Sequence, residues 1–251
     1  MNEEKFSGKA AVYAAHRPGY PAAYIQYLYA EIGLSAASVL ADIGAGTGIL
    51  TRLLLERGST VYAVEPNADM RRAAEQTLAD FPAFRSIAAP AEETTLPAGS
   101  LDTVTVAQAF HWFDRPRFLA ECRRILKADA PVALVWNMRD ESAPLVQANM
   151  ALLRAHCPRF QGFGGGMPVT DLAQFRDFFR DGVCDARVFH HDLPFDEDGF
   201  IGRNLSGSYA PKPEDTAYAP FIAAVRELFA QYSKNGQLIL PNLTYSFVGK
   251  V

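Results

Sequence analysis

Between Ser38 and Arg139, short apolar runs alternate with segments in which apolar residues recur every three or four positions. The runs "SVLADIG", "TVYAVE", "AFRSIAA", "LDTVTVA" and "PVALVWN" have strand length and are rich in strand-forming residues. After the first, "GILTRLLLERG" spaces Ile49, Leu50, Leu53 and Leu54 as a helix, with Gly58 placed to end it. After the second, Asn67 is placed to cap "ADMRRAAEQTLA", and Asp69 suits the positive end of that helix. Before the fifth, "DRPRFLAECRRILKAD" carries a helical stripe of Phe118, Leu119, Cys122, Ile125 and Leu126. Strands alternating with helices predict an α/β fold built on a doubly wound, mostly parallel sheet.

The pattern loosens between Asp140 and Asp185. There "HCPRFQGFGGGMP" breaks the periodicity and "TDLAQFRDFFRDG" resumes it as a capped helix. "ARVFHHDLPF" and "LTYSFVGKV" predict two last strands, with the polar "RNLSGSYAPKPED" and an apolar helix "FIAAVRELFAQY" between them. No linker or repeat divides the chain, so one domain is expected over 1–251. Its parts are a cap segment at 1–35, a ligand-binding core at 36–139, helical insertions at 140–185 and 194–240, and a last strand at 241–251.

Composition narrows the function. At 251 residues, 49% hydrophobic and 21% charged, the chain can bury a core of ordinary size. A net charge of -4 lacks the field of Lys and Arg that gripping phosphate backbones requires, so no nucleic-acid partner is expected. "MNEEKFSGKA" is too acidic and polar for a signal peptide, and no apolar run could span a bilayer, so the expectation is a cytoplasmic protein without a membrane partner. Cys122, Cys157 and Cys184 show no CxxC spacing, which argues against a disulfide framework or a thiolate zinc site. His190 and His191 would point to opposite faces of a strand, so no metal is expected there.

The stretch "VLADIGAGTGIL" places Gly44, Gly46 and Gly48 at alternate positions between the first strand and its helix. Glycines let a backbone bend sharply and approach a ligand closely, and N–H groups at a helix start favour negative charge. A nicotinamide dinucleotide fingerprint needs its third glycine three residues after the second. Here it comes two after, and Ile49 follows, which disfavours a dehydrogenase. Asp42 would repel a pyrophosphate; it either accepts hydrogen bonds from a cationic ligand or ties down the loop. Glu65 ends the second strand, where an acid accepts hydrogen bonds from ribose hydroxyls. A ligand with a ribose and no pyrophosphate satisfies both.

"DIGAGTG" and "VEPNADM" resemble the class I S-adenosylmethionine-dependent methyltransferases, and "AAPAEETTLPAGSLDTVTVAQAFHWFD" resembles their third and fourth strands with the connection. "YAAHRPGYP" and "HWFD" resemble the small-molecule branch, the type 11 or UbiE-like group that includes trans-aconitate-methyltransferase-like proteins. The resemblance covers nearly the whole chain. It implies a Rossmann-like seven-stranded sheet and S-adenosylmethionine as cofactor. One departure is "LKADAPVAL", where the family has a Pro-Gly-Gly turn; Asp129 can adopt the left-handed conformation that turn needs. The resemblance implies a cofactor site of Asp42, Gly44, Ala45, Gly46 and Gly48 at the methionine moiety and Glu65 with Pro66 at the ribose. Met70, Ala91 and Glu92 would surround the adenine, with Gln108 beside the sulfonium. Tyr13 and Arg17 would cap the methionine end, unless Arg17 is an ordinary surface charge.

Ligands of open α/β sheets lie beyond the carboxyl ends of the strands, so the fourth strand should deliver Gln108, Phe110, His111 and Trp112 to the reaction side. His111 is the candidate catalytic base, or else merely bonds to backbone, because in-line transfer from a sulfonium needs a base only if the nucleophile sheds a proton. Trp112 and Phe113 either shelter the reacting groups or pack. Phe110, Trp112 and Arg139, with Tyr209 and Arg203 from the later insertion, suggest an aromatic acceptor pocket holding a carboxylate; alternatively the arginines pair with surface acids such as Asp140 and Glu141. The expectation is a metal-independent methyltransferase acting on a small molecule, with oxygen favoured over nitrogen or carbon. A protein that binds the cofactor without transfer is the alternative.

Overall fold

The computed structural model describes residues 18–163, 175, 177–207 and 209–251. Tyr13 and Arg17, the glycine-rich stretch at 164–168, and residues 170–174 and 176 of the helix expected over 170–182 lie outside the described residues; at its described end Arg180–Gly182 forms a 3₁₀ turn, with Asp181 at φ +56°, in place of an α-helix. The elements run α1 (Ala22–Ala30), β1 (Val39–Ile43), α2 (Ile49–Leu55), β2 (Thr60–Val64), α3 (Ala68–Thr77), β3 (Phe84–Ile87), β4 (Thr103–Ala107), α4 (Arg115–Ile125) and β5 (Pro131–Arg139). There follow α5 (Pro144–His156), β6 (Asp185–His190), β7 (Leu193–Phe195), α6 (Glu197–Leu205), α7 (Tyr218–Tyr232), β8 (Leu238–Leu240) and β9 (Asn242–Lys250).

The sheet has seven strands in the order β3-β2-β1-β4-β5-β9-β6. β1 pairs in parallel with β2 and β4, β2 with β3, and β4 with β5, as the alternation of strands and helices predicts. β1 and β4 therefore lie side by side, and their carboxyl ends open next to each other. Local chemistry follows the expected signals. Asn67 Oδ1 accepts from the N–H groups of Asp69 and Met70, capping α3, and Gly58 N–H donates to Leu55 O past the end of α2. Asp129 has φ +61°, the left-handed turn needed where the Pro-Gly-Gly sequence is missing.

One expected strand is corrected. "ARVFHHDLPF" is two strands: β6 joins the seven-stranded sheet, whereas β7 pairs antiparallel with β8 in a separate two-stranded sheet. The chain breaks at His191, whose N–H donates to Asn242 O.

The chain divides into two compact units, one drawn from 1–136, 169–189 and 244–251 and the other from 137–168 and 190–243. In the first, α1 lays Tyr24, Ile25, Tyr27 and Leu28 into a core with Leu40, Leu54, Val61, Ala133 and Val135. In the second, α5 and α7 contribute Leu145, Val146, Leu153, Phe221, Val225 and Phe229 to a separate core rich in phenylalanine. Among the described residues, no helix is long and apolar enough to cross a membrane.

Candidate functional site

The loop from β1 to α2 is held open by its neighbours. The N–H groups of Gly44 and Ala45 both donate to Val64 O on β2, at 2.8 and 3.1 Å, and Gly48 N–H donates to Ala45 O at 2.9 Å. Gly44, Gly46 and Gly48 all have positive φ, but for different packing reasons. A Cβ at Gly44 would lie 2.6 Å from Ala109 Cβ, and one at Gly48 would lie 2.7 Å from Leu78 Cδ1. A Cβ at Gly46 would have no neighbour within 4 Å among the described residues. Gly44 and Gly48 are thus required by the protein's own packing, whereas Gly46 presents bare backbone to open space.

Glu65, just past the end of β2, braces this loop. Its Oε2 accepts from Gly46 N–H at 2.9 Å and its Oε1 from Asn67 N–H at 2.8 Å. Pro66 follows, and its carbonyl and that of Glu65 accept from Arg71 Nη1.

Asp42 settles into the tying role. It is fully buried, its Oδ2 accepting from Thr51 Oγ1 at 2.6 Å and its Oδ1 from Thr105 Oγ1 at 3.0 Å. Removal from water pushes its carboxyl up to about 6, against the opposing pull of the two hydroxyls and with a further push from the Glu65 charge. Thr51 and Thr105 went unnoticed in the sequence because a threonine in a strand or helix carries no distinctive spacing.

The adenine candidates divide. Met70 and Ala91 are buried, and Glu92 Oε1 accepts from Asp114 N–H at 2.7 Å, joining the segment after β3 to the start of α4. Gln108 follows β4 directly; its N–H extends the ladder to Val135 O, and it has φ +60°, a costly conformation for a residue other than glycine. This turn leads into a single 3₁₀ turn, Phe110–Trp112. His111 and Trp112 emerge exposed, with ring centroids 4.6 Å apart.

Phe110 was expected on the acceptor wall and is instead core. It is fully buried, 4.8 Å from the ring of Phe178 and 5.9 Å from that of Phe175, with the Arg115 guanidinium 5.1 Å away. An aromatic residue past a strand end turns inward when other aromatic rings offer it a dry pocket. Phe113 also packs, against Phe118 at 4.9 Å.

In the second unit, the Arg139 guanidinium lies 3.7 Å from the ring centroid of Phe163, and the Tyr209 ring lies 4.8 Å from that of Phe160. Arg203 Nη1 donates to Ser206 Oγ at 3.4 Å.

The residues fit an adenosylated sulfonium cofactor on two observations: the unfilled approach at Gly46, and a buried hydroxyl on Thr47 without a hydrogen-bond partner. Both lie in the loop that Glu65 braces.

Comparison with known proteins agrees. Residues 41–134 match the family model for a methyltransferase domain. An uncharacterized methyltransferase of Mycobacterium tuberculosis is 41% identical over 140 residues, 54% of this chain and 53% of its own. An uncharacterized methyltransferase of Schizosaccharomyces pombe is 32% identical over 149 residues, 59% of this chain and 58% of its own. The chain spans about half the length of the curated relatives it matches. A solved structure from Anaeromyxobacter dehalogenans, provisionally named a type II methyltransferase, is 25% identical with a TM-score of 0.67, covering 93% of this chain and 97% of that one. The fold is also that of a Haemonchus contortus phosphoethanolamine N-methyltransferase bound to S-adenosylhomocysteine, at 13% identity and a TM-score of 0.56, covering 100% of this chain and 59% of that one. The fold is thus that of solved methyltransferases, and residues 41–134 are similar to a methyltransferase domain.

Proposed function

We propose that this protein transfers a methyl group from S-adenosylmethionine to a small molecule, onto oxygen, and that it belongs with the type 11 or UbiE-like branch and its trans-aconitate-methyltransferase-like members. The observation that carries the cofactor assignment is Glu65, which stands just past β2, where an acid meets ribose hydroxyls, and organises the glycine loop through Gly46 N–H. When bound, the cofactor supplies an electrophilic methyl group on a sulfonium. The chain's part is alignment: Glu65 holds the ribose, Gly46 admits the ligand backbone-close, and Gln108 and His111 stand past β4 beside the loop. Trp112 is a proposed acceptor contact in the first unit, and Arg139 and Tyr209 are proposed acceptor contacts in the second.

Calorimetry with S-adenosylmethionine and S-adenosylhomocysteine is the direct test. Glu65→Ala should weaken both about 10- to 100-fold, the range for hydrogen bonds to a charged group. Unchanged affinity in a folded Glu65→Ala protein would remove the ribose assignment. Transfer of labelled methyl groups into a metabolite extract separates an enzyme from a protein that only binds the cofactor. A panel of organic acids and their neutral amides then reads the acceptor class, with Arg139→Ala expected to raise KM for the acids alone.

A further inference from the structure

β6 (Asp185–His190) ends the seven-stranded sheet, so its outer edge faces no further strand among the described residues. Such an edge presents N–H and C=O groups that template another strand, and it is ordinarily blunted by Lys, Pro, a bulge or a covering segment. The strand "DARVFH" has neither Lys nor Pro. Its two charges are turned toward α1. Arg187 Nη2 lies 2.8 Å from Glu31 and 3.1 Å from Asp185, its guanidinium lies over the Tyr27 ring, and Tyr27 Oη donates to Asp185 Oδ2. The opposite face of the strand, at Ala186 and Val188, is exposed. Val188 is 54% exposed, and among the described large hydrophobic side chains only Val183, just before the strand, is more exposed.

The backbone shows which groups the edge offers. His191 N–H, directly after β6, donates inward to Asn242 O on β9. Bonding direction alternates residue by residue along a strand, so Ala186, Val188 and His190 turn their N–H and C=O groups outward. A second copy of the same strand, laid antiparallel about a twofold axis at Val188, meets these groups in full: Val188 faces itself and Ala186 faces His190. In that register Arg187 faces Phe189, so no like charges oppose each other. An axis at Arg187 gives two bonding pairs in place of three and sets guanidinium against guanidinium, which destabilises a cross-strand pair.

We propose that β6 is a self-docking edge: two copies of this chain pair through it, antiparallel about an axis at Val188, and continue the sheet of one copy into the other. The charges that would repel a second copy are held in ion pairs against α1, and the side chain at the axis is apolar.

Sedimentation equilibrium tests the association. Wild type at micromolar concentration should show twice the mass of the chain. Val188→Lys sets two ammonium groups opposite each other at the axis and should be monomeric at the same concentrations, with a wild-type circular dichroism spectrum. Cross-linking tests the register in a Cys184→Ser background, whether or not Val188→Lys folds. Opposed residues in a bonding pair have Cα atoms about 5.5 Å apart, within the range a disulfide spans. Val188→Cys should therefore form a disulfide-linked dimer with oxidised glutathione, whereas Ala186→Cys, which would face His190, should stay mostly uncrosslinked. A wild type that remains monomeric, a dimer that Val188→Lys leaves intact, or equal cross-linking at the two positions would overturn the assignment.

Discussion

Gly44→Ala is expected to lose most of the protein's margin of stability. The residue has φ +69°, and a Cβ there would meet Ala109 Cβ at 2.6 Å, an atom no rotation can move aside, and the Phe113 ring at 3.2 Å. A left-handed conformation costs a non-glycine residue about 1–2 kcal/mol, and overpacking a closed contact costs about 1–3 kcal/mol more. The sum, about 2–5 kcal/mol, is a large part of the margin of an ordinary domain. With a urea m-value of about 2 kcal/mol/M, the unfolding midpoint should fall by about 1–2.5 M. Gly46→Ala is the matched control. Its φ is +58°, but the added methyl meets nothing within 4 Å among the described residues. Only the conformational cost of about 1–2 kcal/mol applies, while S-adenosylhomocysteine affinity should fall by at least about tenfold as the methyl occupies the ligand's approach. Equal midpoint shifts in the two variants would refute the packing role of Gly44. Wild-type affinity in Gly46→Ala would move the ligand elsewhere.

That contrast also marks how far the sequence could be read. Glycine spacing and Glu65 announced a loop and its brace, because turn residues and strand-end acids occupy positions set by backbone geometry. Which glycine serves packing and which serves a ligand depends on Ala109 and Leu78, which are remote in sequence. The first five strands and α2 to α4 were legible because each buried run is bounded by a glycine, an asparagine or an aspartate with a defined cap or turn. α5 escaped notice although Pro144, Leu145, Val146 and Leu153 have helical spacing, since Asn149 interrupts the stripe with a fully buried amide. α6 was concealed by Gly199 and Gly202, which lower helix propensity, even though Asp196 caps it by accepting from Gly199 N–H. The alternation of "ARVFHHDLPF" continued across His191, but periodicity says nothing about the partner strand, and β7 pairs with β8. Phe110 and Trp112 look alike as letters; one is fully buried and the other 39% exposed because only the first meets a ring of aromatic neighbours.

Asp42→Asn should reverse part of the protein's response to pH. The wild-type carboxylate is fully buried and accepts from two hydroxyls, with no cation bonded to it among the described residues, and burial pushes its carboxyl up to about 6, well above the ordinary aspartate range. A carboxyl whose folded value is raised binds more protons in the native state. Its contribution to stability is therefore complete below the unfolded value, near 4, and is lost as the pH rises through about 6. A shift of about two pH units corresponds to about 3 kcal/mol at most. Asparagine preserves the shape: its Oδ1 can accept from Thr105, and its Nδ2 can donate to Thr51 Oγ1, since a hydroxyl serves either role. The difference in unfolding free energy between Asp42→Asn and wild type should favour the variant increasingly from pH 4 to 7 and then level off. The difference isolates Asp42 from Asp102, Glu121 and Asp185, whose carboxyls lie below their usual range and lose stability in the opposite direction, as the pH falls. Affinity for S-adenosylhomocysteine should stay at the wild-type value, because the Asp42 carboxylate is engaged by Thr51 and Thr105 and asparagine keeps both bonds. A pH-independent difference would show that the buried carboxyl keeps its ordinary ionisation. A large loss of affinity in a stabilised variant would return the Asp42 charge to the cofactor site.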